Sequence, residues 1–345
     1  MIKRLFIVFA LLCVLYSAFV LVGGKFKPVG RYFLNSEISD SVSGGDLYTL
    51  CLVETYRDSI PLIREERAGT AQASTLLLMG DSFMACNLAS DVLANQLADS
   101  TGIGVFEIPE LAASNFQMNP LPYFQQAGLP KGERRILILE TVERNVLDFA
   151  LCYQTFSAAE RFRTLKDLRR KIFFNDDVDY FFRENRFFFP VYKGILNARF
   201  HIWGEINAQI GRHALDPPML FFADAVNFNL RPKSAAELDA MAEMIAWLSQ
   251  ELDAQFNIEL VYLIMPNKYS IYGKDIDPDY VYDGFIPAVQ ERLAARGIPY
   301  IDAYGAYQAY RSKDDGQLLY YHSDTHFTPF GKQVVLNEIL RYLRP

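Results

Sequence analysis

The sequence predicts an α/β fold: a three-layer α/β/α domain with a central parallel sheet, preceded by an N-terminal membrane anchor. Three observations predict it. Five short apolar runs, Thr75–Met79, Gly104–Ile108, Ile136–Leu139, Ile258–Met265 and Tyr300–Ile301, are bounded by turn residues. Runs that are apolar throughout, rather than alternating, belong to strands covered on both faces. Stretches with helical spacing separate them, the βα alternation of a parallel sheet. Finally, 345 residues at 51% hydrophobic and 14% aromatic suffice for a substantial core.

The first segment stands outside that core. Met1-Ile2-Lys3-Arg4 is basic, and residues 5–22 are apolar apart from Tyr16 and Ser17. A membrane helix needs about 17–25 such residues, whereas a secretory apolar region spans about 7–15. The segment is therefore read as residues 1–24 forming a single-pass anchor in the cell inner membrane, with the body on the periplasmic or extracytoplasmic side. Lys3 and Arg4 favour a cytoplasmic N-terminus, opposed by Lys25, Lys27 and Arg31. The alternative is a cleaved signal peptide; both export the body.

Residues 25–73 are mixed and polar, with Ser43-Gly44-Gly45 as a flexible point, and are expected to form a stem and a leading helix. The folded body is expected over 74–345. Within it, Met84 to Ala98 places Leu88, Val92 and Leu97 at helical spacing. Ala235 to Phe256 carries the stripe Leu238, Met241, Ile245, Leu248 and Leu252. Phe285 to Arg296 stops at Gly297. Thr328-Pro329 reads as an N-cap followed by proline at the first helical position, opening a last helix with Val335, Ile339 and Leu343 on one face.

Residues 149–231 break the alternation and are read as an insertion. They are dense in Phe and Arg, including Arg161, Phe162, Arg163, Arg169, Arg170, Phe173, Phe174, Phe187 and Phe188. The reading taken is helical packing under a solvated basic face. The alternative is a substrate groove or membrane-facing lid, since aromatic rings stack on sugars.

Charge and cysteines exclude some classes. A net charge of −7 argues against nucleic-acid binding, which needs a basic face. With Cys13 in the anchor, Cys51, Cys86 and Cys152 form an odd set whose spacing matches no metal motif. No metal and no cofactor are expected.

Chemistry enters through two short blocks. Gly80-Asp81-Ser82-Phe83 follows the first strand run, at the carboxyl edge where open parallel sheets bind ligands. Gly80 permits a tight turn there, and Ser82 would open the next helix, where unpaired N–H groups favour developing negative charge. The second block is Asp324-Thr325-His326, just before the last helix. A serine hydroxyl needs an imidazole to take its proton, and the imidazole needs an orienting carboxylate. Spacing by two in a loop lets Asp324 hold one ring nitrogen of His326 while the other faces Ser82. His322 is the second candidate base, but no acid lies at the same offset.

These blocks resemble those of the SGNH (GDSL-type) hydrolase superfamily. More narrowly, Asp324-Thr325-His326-Phe327-Thr328-Pro329-Phe330-Gly331 is similar to the Asp-x-His-Trp-Thr-Pro-x-Gly run of alginate O-acetyltransferase-type proteins. Met265-Pro266-Asn267-Lys268 with Tyr272, and Glu140-Thr141-Val142-Glu143-Arg144, are similar to segments of that group. The chain departs from it in placing the serine block first, as ordinary SGNH hydrolases do, and in having Phe327 for Trp. The superfamily's Gly and Asn oxyanion blocks have no clean counterpart.

The resemblance implies O-acetylation of an extracytoplasmic polysaccharide through an acetyl-serine on Ser82, with His326 as base and Asp324 as orienter. It also implies a multi-span membrane O-acyltransferase as partner. The alternatives are a carbohydrate esterase with the same triad and a non-catalytic polysaccharide assembly factor. Ser82, Asn115 and Asn145 are the oxyanion candidates. Arg144, Lys268 and Tyr272, near predicted strand ends, are candidate substrate-orienting residues, each with the plainer reading of a structural or rim residue.

Overall fold

The computed structural model describes residues 2–23, 44–60, 69–84, 92–109, 113, 115–155, 189–313 and 316–344. The chain divides into two units, residues 44–161 with 207–345, and residues 1–43 with 162–206.

The larger unit is built on a five-stranded parallel sheet ordered β2-β1-β3-β6-β7. Its strands are β1 (Leu76–Met79), β2 (Val105–Glu107), β3 (Arg135–Val142), β6 (Ile258–Met265) and β7 (Tyr300–Ile301). All five apolar runs of the sequence are strands. β1 is buried at every position, as are seven of the eight positions of both β3 and β6, which is why those runs show no alternation. A two-stranded antiparallel hairpin, β4 (Ile210–Leu215) and β5 (Pro218–Phe222), was not foreseen. It lies in the stretch read as an insertion, where short apolar runs do not separate strand from helix.

Helices cover both faces. Successive strand residues point to opposite sides, so Leu77, Met79, Leu137, Leu139, Leu260 and Tyr262 share one face. They join a core with α8 (Ala235–Phe256), which buries Leu238, Met241, Ala242, Ile245, Leu248, Leu252 and Phe256. The helix starts at a capping box, Ser234 with Glu237, and ends at Asn257 in the left-handed conformation. Truncating Leu248 to alanine would cost about 2–5 kcal/mol, through lost burial and the cavity left. The same face carries α4 (Pro120–Gln126), α5 (Val146–Thr155) and α10 (Phe285–Ala295).

On the other side lie α3 (Leu93–Thr101), α11 (Ala303–Arg311) and α12 (Pro329–Leu343), which pack on one another and on β6 and β7. Thr328 caps α12 by accepting from the Gly331 N–H at 3.1 Å, with Pro329 in the first turn, as the sequence predicts. Of the helix expected from Met84 to Ala98, residues 92–98 contribute α3 and its N-cap, while 85–91 lie outside the described residues. The short α2 (Asp46–Cys51), α7 (Ala223–Leu230) and α9 (Lys268–Ile276) complete the unit.

The smaller unit holds α1 (Ile2–Gly23) and α6 (Phe189–Trp203). α1 confirms helix where the anchor was expected, and its large side chains from Leu5 to Leu15 are exposed. Side chains are described only over residues 4–18 of it, and among the described residues no helix is long and apolar enough to cross a membrane. The structure thus gives the anchor no support of its own. Residues 156–188, with most of the Phe- and Arg-rich run, lie outside the described residues, as does Cys86; Cys13, Cys51 and Cys152 are free thiols.

Candidate active site

The Gly80–Phe83 block leaves the carboxyl end of β1 in a tight turn secured to the neighbouring strand. The Asp81 N–H donates to Glu140 Oε2 at 3.0 Å. Its carboxylate accepts from the Phe83 N–H at 3.0 Å and the Val142 N–H at 3.2 Å. Gly80 is required: a Cβ there would stand 2.5 Å from Glu140 Oε2 and from Met84 Cβ. Glu140 is buried, and burial followed by the charge of Asp81 raises its pKa well above the usual carboxyl range. Ser82 is half-buried, and among the described residues its hydroxyl has no hydrogen-bond partner.

The second block lies on the loop between α11 and α12. Asp324 Oδ1 accepts from the His326 N–H at 2.8 Å and lies 2.6 Å from His326 Nδ1. The Asp324 side chain is 1% exposed and that of His326 14%. Burial works against a charged imidazole here, but the hydrogen bond and charge of Asp324, then the charges of Asp46 and Asp81, outweigh it and raise the His326 pKa above 6.5. Asp324 is pulled the other way: burial disfavours its charge, yet the bonded imidazole keeps its pKa below the ordinary value.

The two blocks meet through Phe83. Its ring packs on His326 with centroids 5.0 Å apart, and on Phe327 at 5.5 Å. Residues 81–83 and 324–327 therefore share one neighbourhood at the carboxyl edge of the sheet. No hydrogen bond joins Ser82 to His326.

Lys268 explains how the loop is held. It is 5% exposed, and its ammonium donates to the carbonyls of Tyr321 (2.5 Å), His322 (2.8 Å) and Asp324 (3.2 Å). Burial pushes its pKa down to about 7, against the pull of Asp324, Asp46 and Asp58. Tyr272 is 2% exposed, and its hydroxyl accepts from the Leu319 N–H at 2.9 Å. The polar ends of both residues are thus spent on the loop. Arg144 is half-buried with its guanidinium 5.4 Å above the Phe222 ring, and its charge bears on Glu140. Of the oxyanion candidates, Asn145 ends a 3-10 turn after β3 and is half-buried, whereas Asn115 is exposed.

The segment 44–60, read as stem, supplies groups that the sequence analysis missed. The Asp46 N–H donates to Asp324 Oδ2 at 2.8 Å, and its carboxylate accepts from both the N–H and the hydroxyl of Thr325. Asp58 Oδ2 accepts from the Ser323 hydroxyl at 3.0 Å and the Ser323 N–H at 3.3 Å. Gly45, at φ 88°, has no room for a Cβ beside the Ser323 carbonyl, 2.4 Å away; the expected flexible point is a close-packed turn. These contacts span 265 residues or more of sequence, so no local pattern encodes them. The only hint was a small-residue turn, Gly44-Gly45, ahead of an acid.

Two further features border the loop. Glu143, buried at the end of β3, accepts from Asn229, Tyr282, Ser270 and the Asn267 N–H, binding the ends of β3 and β6 together. A cavity of about 550 Å³ is lined by Asp58, Gln317, Tyr321, His322 and Phe330 among others. Asp46, Asp324 and His326 present potential ligand atoms within 4.8 Å of one another. His326 Nδ1 is already engaged by Asp324, and Asp46 by Thr325, so the set is a hydrogen-bonded group rather than an open cation site.

Comparison with known proteins bears out the resemblance read from the motifs. Residues 219–345 match the family described as the SGNH hydrolase-like domain of acetyltransferase AlgX. That stretch contains Lys268, Asp324 and His326 and begins beyond Ser82. No curated protein matches the chain by sequence. Among solved structures, a variant of the acetyl-xylooligosaccharide esterase Axe2 from Geobacillus stearothermophilus aligns with a TM-score of 0.37 and 11% identity, over 79% of this chain and 94% of that one. A second Axe2 variant, described as an acetyl xylan esterase of the same organism, gives 0.35 and 10% over 78% and 94%.

Proposed function

We propose that this SGNH hydrolase-like protein is an O-acetyltransferase acting on an extracytoplasmic polysaccharide through Ser82, His326 and Asp324. One observation carries the reading. A buried Asp324–His326 pair, 2.6 Å across, is packed against the residue that follows Ser82.

With Nδ1 held by Asp324, Nε2 is the ring nitrogen left to move a proton. Ser82 Oγ attacks the carbonyl carbon of an acetyl donor while Nε2 takes its proton. The tetrahedral intermediate collapses, and the donor oxygen departs with that proton, leaving acetyl-serine. A sugar hydroxyl then gives its proton to Nε2 and attacks the acetyl carbon, and Ser82 Oγ leaves with the proton returned. The Ser82 N–H, with Asn145 as second donor, is the group suited to the developing oxyanion. The cavity lined by Tyr321, His322 and Phe330 offers ring faces and polar groups for a pyranose acceptor.

α1 is proposed to hold the chain in the cytoplasmic membrane with the body outside. A multi-span O-acyltransferase delivering acetyl groups across the bilayer is the partner such a reaction needs. The test is to incubate the full chain with an activated acetyl ester, with and without acceptor oligosaccharide, following acetylated sugar against free acetate. Sugar-dependent acetyl transfer is expected. Acetate release indifferent to sugar would replace transferase with esterase. A chain that supports polymer acetylation in the cell equally well with Ser82→Ala would replace both with an assembly role.

A further inference from the structure

The proposed triad does not stand alone: a second acid from the far N-terminal side of the body closes round it. Asp46 meets the acid–base loop at four points. Its N–H donates to Asp324 Oδ2 at 2.8 Å, and its Oδ1 accepts from the Thr325 N–H at 2.7 Å. Its Oδ2 accepts from the Thr325 hydroxyl and lies 3.9 Å from His326 Nδ1. Asp324 is thereby saturated. One oxygen serves His326 and the other is held by Asp46, so the carboxylate has no freedom to turn away from the ring.

We infer that Asp46 is a positioning residue for the acid–base pair, fixing the orientation of Asp324 and Thr325 and adding a second negative charge beside His326. Its catalytic meaning rests on the acyl-transfer reading above; the geometry itself does not. A negative charge within about 4–6 Å favours the protonated imidazole, which forms each time His326 takes a proton. The ionisable groups facing His326 are Asp324, Asp46 and Asp81, with the Phe83 ring between the blocks. The nearby Lys268 ammonium is spent on the carbonyls of Tyr321, His322 and Asp324, and Asp58 on Ser323. Asp324, Asp46 and Asp58 all favour the Lys268 ammonium in return, so its charge offsets part of the pull of the two carboxylates on the ring. The Asp46 carboxyl is itself held above the ordinary pKa, by partial burial and then by Asp324. Its side chain is still 42% exposed, so water screens part of its charge.

The test uses the full chain in detergent, labelled at histidine, with the His326 signal assigned by its loss in His326→Gln. In the wild type the ring should titrate above 6.5. Asp46→Asn keeps an acceptor for the Thr325 N–H and removes the charge. It should lower the titration midpoint by at least about 0.5 pH unit. The acid limb of kcat/KM should move with it, KM staying constant. Asp46→Glu should recover part of the shift. Should the asparagine variant not fold, Asp46→Ser removes the charge with a small acceptor in place and must give the same direction. A charge-free variant titrating with the wild type overturns the inference. Failure of the acyl-transfer reading looks different: no turnover in the wild type, with the titration shift present.

Discussion

The loop carrying Asp324 and His326 is tied down from every side, whereas the turn carrying Ser82 is fixed only through its neighbours. Lys268 grips three carbonyls of the loop, Asp46 holds Asp324 and Thr325, and Asp58 holds Ser323. At the turn, Asp81 and Glu140 make the bonds, and among the described residues the Ser82 hydroxyl makes none. The contrast fits the separate demands of acyl transfer. A base must keep one tautomer and one orientation through both half-reactions, so its surroundings are best saturated. A nucleophile must leave its proton, form a bond and break it again, so its own oxygen is best left unclaimed while the backbone beneath it is fixed.

The sharpest attack on this contrast is Ser82→Ala. It should lower kcat for an activated acetyl ester by at least roughly 10⁴-fold while leaving the thermal melt of the body unchanged. Residual turnover near the wild-type rate would make the loop's order irrelevant to chemistry. Next comes Lys268→Met, which strips the loop of its buried donor and leaves three carbonyls without it. Chemical denaturation should show a loss of roughly 1–3 kcal/mol from the carbonyls left unsatisfied, and the surviving folded protein should be inactive. A stable, active variant would show that the loop holds itself.

Gly80→Ala tests the other side. The new methyl meets the Glu140 carboxyl and Met84, and the strain should cost about 1–3 kcal/mol by the same measurement. A neutral outcome would mean that the turn is looser than its bonds imply. The pH profile separates the halves without mutation. His326 has a raised pKa, so its protonated form stabilises the fold below about 6.5, and that contribution is lost as pH rises through the higher folded value. Catalysis needs the neutral ring, so kcat/KM should rise with pH through a midpoint above 6.5; a midpoint below it would deny the paired carboxylates their effect. The smallest expected effect is Asn115→Ala. The residue is exposed, and stability should stay within about 0.5 kcal/mol with kcat little changed. A large drop in kcat would restore it as an oxyanion donor.

How far the site was legible in the sequence follows the same division. The strands were plain because burial on both faces leaves an unmistakable apolar run, as at Leu76–Met79 and Ile258–Met265. The last helix was plain because Thr328 and Pro329 are local signals, and Asp324 with His326 because an acid two residues from an imidazole is a local pattern. The supports were not. Lys268 looked like a charge at a strand end, and only the fold reveals that it is buried against a loop more than 50 residues away. Asp46 and Asp58 sat in a polar stretch that composition alone marks as stem. Groups that act through long-range backbone bonds leave no periodicity, so the sequence displays the candidate triad and hides what holds it.

Acyl transfer at this site requires that Ser82 form a bond to the transferred group under the control of His326. The direct measurement is mass spectrometry of peptides from the full chain, quenched in acid after brief exposure to an activated acetyl ester. An acetyl adduct on Ser82, lost in His326→Gln, is the predicted result. An unmodified Ser82, or an adduct that forms equally without the imidazole, would rule out a His326-driven acyl-serine route.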